Sequence, residues 1–304
     1  MAKFQINILG CGSATPTLRH NPSCQVIDFR DRLFMIDCGE GAQVEMRRMK
    51  LSYQRLSHIF ISHLHGDHCF GLPGLLCTMG LHQKGGKVTV CMPQQGLELF
   101  RSFVNYFCKE TPFEIEFIPV PKEGGVVYED HALTVEAFPL YHRVPCYGYI
   151  FREKPKQRHI NGEMAKFYQV PVYMMNDIRC GADFVTPSGE VIPNKILTTP
   201  ADAATSYAYC SDTVFDSRVA ESVKGVDVIY HEATYADDNI DKALERGHST
   251  ARQAAIIARE AGARELIIGH YSKRYKDYEV MLSEAKEEFD CVIAADEGMK
   301  IDLL

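Results

Sequence analysis

Residues 61–71 read ISHLHGDHCFG, directly after the apolar pair Ile59–Phe60. Three histidines and an aspartate fall within the six positions from His63 to His68, a quarter of the chain's 12 histidines. The run HIFI at 58–61 has the β-branched and aromatic make-up of a strand. On extended backbone His63 and His65, two apart, point to one side. The turn at Gly66 then sends Asp67 and His68 off at another angle. Four ligands this close do not readily surround one tetrahedral ion. Two ions a few ångströms apart, each taking two ligands from the stretch, fit the spacing better. A core histidine or a pH-responsive surface has no need of H-x-H-x-D-H, so the stretch predicts a binuclear metal site.

The flanking sequence alternates in the same manner. Upstream, FQINIL (4–9), CQVIDF (24–29) and LFMID (33–37) read as strands bounded by Gly, Pro or Asp. Downstream, GLPGLLCTMGL (71–81) reads as a helix, with a second at about 94–105 and further strands near 87–92, 113–119, 132–138 and 147–151. From 205 the strands TSYAYCS, VDVIYHE and ELIIGH alternate with helices near 216–224, 249–261 and 277–288, and CVIAA and MKIDL close the chain. The helix after His248 opens with Ser249 or Thr250 as its N-cap. Strands cluster in each half with helices between them, which predicts an α/β fold of two sheets packed together under outer helices. Residues 152–195 differ in texture: a basic start, REKPKQR at 152–158, one helical piece, GEMAKFYQ, and a hairpin tip, TPSGEVIPN. They read as an arm inserted into a single domain spanning 1–304.

Composition bounds the class. Hydrophobic residues at 46% and charged residues at 24% describe an ordinary globular protein. No stretch approaches the roughly 20 apolar residues that span a bilayer, and MAKFQINILGCG lacks a signal-peptide layout, so a cytoplasmic protein with no membrane association is expected. Eleven cysteines include no C-x-x-C pair and read as reduced, mostly buried thiols. A net charge of −7 excludes an overall basic coat but not local patches, such as Arg47, Arg48 and Lys50, or Lys273, Arg274 and Lys276. LGCGSATP (9–16) falls short of the dinucleotide fingerprint, because Thr15 stands where glycine is needed and Pro16 follows. A tight strand-to-loop turn is the better reading, and no nucleotide cofactor is expected.

SHLHGDH carries the H-x-H-x-D-H signature of the metallo-β-lactamase superfamily. A longer ordered set resembles the short-form ribonuclease Z (tRNase Z) family: GCGSATPT, IDCGEGAQ (36–43), ISHLHGDHCFGLPGLL (61–76), FPLYHRVPCYGY (138–149), YCSDT (209–213), HEATY (231–235), GHST (247–250) and IIGHYSKRY (267–275). The resemblance implies the αββα sandwich of the metallo-β-lactamase fold and two zinc ions. One zinc would be held by His63, His65, His142 and Asp212. The other would be held by Asp67, His68, His270 and Asp212, with Asp212 as the bridge. It also implies catalytic roles for Asp67, as proton acceptor, and for His248 and Glu232, with His248, oriented by Glu232, protonating the departing 3′-oxygen or stabilising charge on the phosphorane. His58, His82, His131 and His231 lie outside the matched ligand motifs and read as structural.

The implied activity is endonucleolytic processing of precursor tRNA. The cut would fall after the discriminator base, leaving a 3′-hydroxyl on the tRNA and a 5′-phosphate on the trailer. The 152–195 segment corresponds to the family's tRNA-gripping arm, although this chain has no Gly-Pro pair near its tip, and a homodimer is implied. Two other readings compete. One is another binuclear hydrolase of the superfamily acting on small phosphodiesters, thioesters or lactams, which would need no RNA clamp. The other is a non-catalytic RNA-binding relative, against which the complete ligand set argues.

Overall fold

The computed structural model describes residues 3–108 and 110–303, which divide into two compact units. The first is built from the chain up to Tyr128, Val135–Phe151 and the chain from Ser206 onward. The second is built from Glu129–Thr134 and Arg152–Thr205.

Two seven-stranded sheets organise the fold. In the first, the strands lie in the order Lys300–Asp302, Phe4–Gly10, Cys24–Phe29, Arg32–Ile36, Leu56–Phe60, Lys87–Met92 and Glu114–Pro119. Pairing is antiparallel as far as Arg32–Ile36 and parallel from there on. The second sheet runs Val292–Ala294, Glu265–Gly269, Val228–Glu232, Ser206–Cys210, Cys146–Glu153, Leu133–Leu140 and Gly125–Glu129, and its first four strands are parallel. Every residue of Phe4–Gly10 and of Val228–Glu232 is buried. Strands covered on both faces in this way bury polar members as well, here Gln5, Asn7, His231 and Glu232 among the apolar ones.

The coverings can be named. Leu72, Leu75, Leu76 and Met79 of the helix Gly71–Leu81 share one apolar cluster with Met35, Ile59, Val88 and Val90 of the first sheet. The helix Ala251–Ala261 lies against Val228–Glu232 and Glu265–Gly269 of the second. Between the sheets, the Tyr149 hydroxyl donates to the Ile61 carbonyl at 2.7 Å, and the Phe60 and Tyr149 rings meet at 5.2 Å. This is the helix–sheet–sheet–helix sandwich expected from the strand pattern. The helix expected from Ser249 begins at Ala251, with Thr250 as N-cap in a reciprocal capping box with Gln253.

The second unit has a small core of its own, made of Ala165, Val170, Ile178, Phe184, Ile192 and Leu197. The helix Gly162–Phe167 is capped by Asn161, whose side chain accepts the Met164 N–H. TPSGEVIPN forms the turn of a hairpin pairing Phe184–Val185 with Val191–Ile192. The short helix Met175–Arg179 was not anticipated. Five residues are too few for a helical period to register, and a helix this short owes its stability to packing, here of Ile178. Part of the basic stretch is engaged locally: Lys154 pairs with Glu129 at 2.6 Å and Lys156 with Glu153 at 2.9 Å. All eleven cysteines are free, and Cys180 and Cys291 are the exposed ones.

Candidate metal centre

Strand ends deliver the site. Leu56–Phe60 runs into His63, His65, Asp67 and His68; Leu133–Leu140 into His142; Ser206–Cys210 into Asp212; and Glu265–Gly269 into His270. Such crevices beyond strand ends are where open α/β sheets bind ligands. The turn expected at Gly66 is a short helix, Gly66–Cys69, with His65 as its N-cap. It is stitched to the 37–39 loop by Cys38 N–H to the His68 carbonyl and Gly71 N–H to the Cys38 carbonyl, both 2.8 Å. Only glycine tolerates that approach, since a Cβ on Gly71 would lie 2.0 Å from the Gly39 carbonyl oxygen.

Two donor groups result. In the first, His63, His65, His142 and Asp212 bring one ligand atom each within 4.8 Å of one another. His65 Nδ1 is 3.0 Å from His63 Nε2 and 3.3 Å from His142 Nε2, while Asp212 Oδ2 is 3.5 Å from His63 Nε2. In the second, Asp67, His68 and His270 converge. His68 Nε2 is 3.2 Å from His270 Nε2, and Asp67 Oδ2 is 3.6 Å from the former and 3.5 Å from the latter. Asp212 faces both groups, because its other oxygen, Oδ1, lies 3.2 Å from His270 Nε2 and 3.5 Å from His68 Nε2. That oxygen is buried and has no hydrogen-bond partner among the described residues. An unpaired buried carboxylate oxygen facing two imidazole nitrogens suits a cation between them.

The outer hydrogen bonds set the ring tautomers. His68 Nδ1 is 2.7 Å from Asp37 Oδ2, and His142 Nδ1 is 2.7 Å from the Gly247 carbonyl. Both nitrogens therefore carry hydrogen and donate it, leaving lone pairs on the inward Nε2 atoms. The Thr234 hydroxyl donates to Glu232 Oε2 at 2.7 Å, so its oxygen accepts from His270 Nδ1 at 2.8 Å. Asp37, buried and in the left-handed region at φ 55, also accepts from the Ser62 amide at 2.7 Å and the Tyr209 hydroxyl at 2.9 Å. Asp67 Oδ2 accepts the Ala14 N–H at 2.6 Å.

Electrostatics divide the cluster. Burial, then the neighbouring His68, holds His63 well below the ordinary imidazole range, and burial likewise lowers His65 and His142. These three are kept neutral, as ligands must be. At His68 burial opposes protonation, but the carboxylates of Asp212, Asp37 and Asp67 outweigh it and raise the ring to about 10. Three carboxylates around one buried imidazole call for a cation, and a divalent ion at Nε2 meets that demand as a proton would. Donor types, the unpaired oxygen and this charge balance all fit divalent metal.

Glu232 is completely buried, and its carboxylate is fully engaged. Oε1 accepts from Thr213 N–H at 3.2 Å, Ser249 N–H at 2.9 Å and His248 Nδ1 at 3.1 Å. Oε2 accepts from the Thr234 amide and hydroxyl. His248 lies between His142 and His270, with ring centroids 5.3 and 5.5 Å away. Burial works against its protonation, but Glu232 and Asp212 prevail and raise it to about 9. A cleft of roughly 580 Å³, lined by Tyr141, His142, Arg143 and Gly247 among others, opens beside the first group.

A ribonuclease Z of Parabacteroides distasonis is 53% identical over 304 residues, covering 100% of both chains. The chain belongs to the ribonuclease Z family. A ribonuclease Z of Bacteroides fragilis is 49% identical, again over 100% of both chains. The crystal structure of human tRNase Z, short form, shares the fold with a TM-score of 0.72 at 24% identity, covering 99% of each chain. A family model described as Anti-Pycsar protein Apyc1 matches residues 4–150. Membership of ribonuclease Z brings a divalent-metal site with it, and the His/Asp groups described above are the residues able to form one.

All nine residues singled out in the sequence lie in this one cluster. Sequence reasoning missed its supports: Asp37, Ser62, Tyr209 and Thr234. All four fall inside matched motifs, Asp37 in IDCGEGAQ, Ser62 in ISHLHGDHCFGLPGLL, Tyr209 in YCSDT and Thr234 in HEATY, which was the available signal. His231 is buried, with Nδ1 2.7 Å from the Glu232 carbonyl, and His131 and His82 are exposed.

Proposed function

We propose that this chain, a tRNA 3′-processing endoribonuclease by family, cuts precursor tRNA after the discriminator base using two zinc ions. One ion would be held by His63, His65, His142 and Asp212, the other by Asp67, His68, His270 and Asp212. The observation that carries this reading is Asp212, whose two oxygens face different histidine groups while one of them has no hydrogen-bond partner among the described residues. Zinc bound there would lower the pKa of water and neutralise charge building on the scissile phosphate.

The chain's own groups do the rest. Asp67 is oriented by the Ala14 N–H on Oδ2 and serves as proton acceptor. His248 has Nδ1 engaged with Glu232, so Nε2 is the atom that carries a proton to the departing 3′-oxygen. Glu232 acts through His248 and Thr234 and is a positioning residue. The second unit would grip the tRNA. Its exposed Phe167 and Tyr173 offer faces for bases, and Arg179 and Lys166 offer charge for phosphates. Surface ion pairs such as Lys154–Glu129 are weak enough to be exchanged for phosphate contacts.

No helix among the described residues is long and apolar enough to cross a membrane. A cytoplasmic location, a homodimer and the lack of any nucleotide cofactor complete the proposal. Sedimentation of the purified chain measures the dimer.

The test is cleavage of a 3′-extended tRNA precursor by wild type and His65→Ala, with and without a chelator. Cleavage is expected in wild type alone, and chelation should abolish it. A cut indifferent to both, or hydrolysis of a small phosphodiester with none of tRNA, sinks the reading. Deleting about 155–192 should abolish tRNA cleavage while small-phosphodiester hydrolysis persists.

A further inference from the structure

The first unit holds a second cluster of metal-ligating side chains, Cys11, His20, Asp296 and Glu297, which shares no residue with the candidate metal centre. We propose that these four residues form a structural site for a zinc-class divalent cation, tying the 11–21 loop to the turn at 295–298.

The geometry is that of a small cage. Cys11 Sγ lies 3.4 Å from His20 Nδ1 and 3.7 Å from Glu297 Oε2, and His20 Nδ1 lies 3.6 Å from Asp296 Oδ1. With bonds of about 2.0–2.3 Å, the ligand atoms of a tetrahedral zinc site stand roughly 3.3–3.7 Å apart. A fourth separation, His20 Nδ1 to Glu297 Oε2, is a hydrogen-bond distance of 2.6 Å. A cation takes the place of that shared proton. The Glu297 carboxylate is already aimed: Oε1 accepts the Asn21 N–H at 2.8 Å and the Cys11 N–H at 3.4 Å, which turns Oε2 toward the thiol and the imidazole.

The donors themselves favour metal over packing. A buried cysteine that only fills space faces apolar neighbours. Cys11 is buried, yet its sulfur faces His20 Nδ1, Glu297 Oε2 and, at 3.5 Å, the Ala295 carbonyl, all of them polar atoms. One thiol, one imidazole and two carboxylates suit zinc rather than calcium or magnesium, which take oxygen ligands alone. Asp296, with 43% of its side chain exposed, leaves the cluster a way in from solvent.

The position gives the cation a task. Cys11 and His20 belong to one end of the chain and Asp296 and Glu297 to the other, so metal binding closes a very long loop. The same segment supports the candidate catalytic residues. The Cys11 carbonyl accepts the Tyr271 N–H at 2.9 Å, next to His270, and the Ala14 N–H holds Asp67. A cation here would fix the loop that orients Asp67.

Cobalt substitution of the full chain tests the assignment independently of the tRNA reading. Neither candidate catalytic group contains cysteine, so a thiolate-to-cobalt charge-transfer band in the near ultraviolet reports the Cys11 site alone. Wild type should display the band, His63→Ala/His65→Ala should keep it, and Cys11→Ser should lose it together with one equivalent of bound metal. Asp296→Asn, altered at the solvent side, should weaken cobalt binding at least about tenfold with an unchanged circular dichroism spectrum. No band in wild type, or an undiminished band in Cys11→Ser, overturns the proposal. If Cys11→Ser does not fold, unchanged cobalt affinity in Asp296→Asn overturns it.

Discussion

The two donor groups around Asp212 are built on different principles. The His63, His65 and His142 group relies on depressed imidazole basicity and a single shared carboxylate, and one of its outer partners is the Gly247 backbone. The Asp67, His68 and His270 group adds a second carboxylate, and its histidines are held by the side chains of Asp37 and Thr234. One group is arranged to present neutral lone pairs; the other is arranged to attract positive charge. The second should hold its ion more tightly, because Coulomb attraction is added to coordination and the outer partners fix its rings.

The largest expected effect ignores the difference. Asp212→Asn removes the shared charge and should lower precursor cleavage by about three orders of magnitude or more, the equivalent of several kcal/mol of transition-state stabilisation. Metal analysis should find both ions weakened, and loss of one alone would break the picture of a bridge. Asp37→Ala comes next. It leaves the Ser62 amide, the Tyr209 hydroxyl and His68 Nδ1 without their buried acceptor. A loss of about 3 kcal/mol or more, read as a fall in melting temperature of order 10 °C, should accompany weaker binding at the second group.

A matched pair then separates the groups. Thr234→Val keeps the shape but removes the acceptor of the His270 Nδ1 proton, and should weaken only the second ion, by about 10–100-fold. Gly247→Ala places a Cβ 2.7 Å from His142 Nδ1 at a residue with φ 80, and should weaken only the first, by about tenfold. Titration of the metal-free variants with zinc reads both. Equal weakening of the two ions in either variant would erase the distinction.

Much of this was legible in the chain. The H-x-H-x-D-H spacing after HIFI supplied donors to two groups because extended backbone alternates its side chains with fixed period. The long strand and helix patterns were readable for the same reason: sheets and helices impose periods on sequence. Met175–Arg179 was not, being shorter than any period. Asp37 was not either, since an aspartate after a strand reads as a turn residue; only its burial against Ser62, Tyr209 and His68 reveals the support it gives. The cage of Cys11, His20, Asp296 and Glu297 had no signature at all, because its halves stand more than 270 residues apart and meet only when Lys300–Asp302 pairs with Phe4–Gly10.

By itself, then, the sequence determined the donor types, the local spacing of the first four ligands and the class of fold, all properties of short range or of repeated pattern. The tertiary structure decided which oxygen of Asp212 faces which histidines, which ring nitrogens are turned to outer acceptors, and which groups fill the Glu232 carboxylate. Those depend on hydrogen bonds between residues far apart in the chain, and such partners are chosen only when the two sheets close on one another.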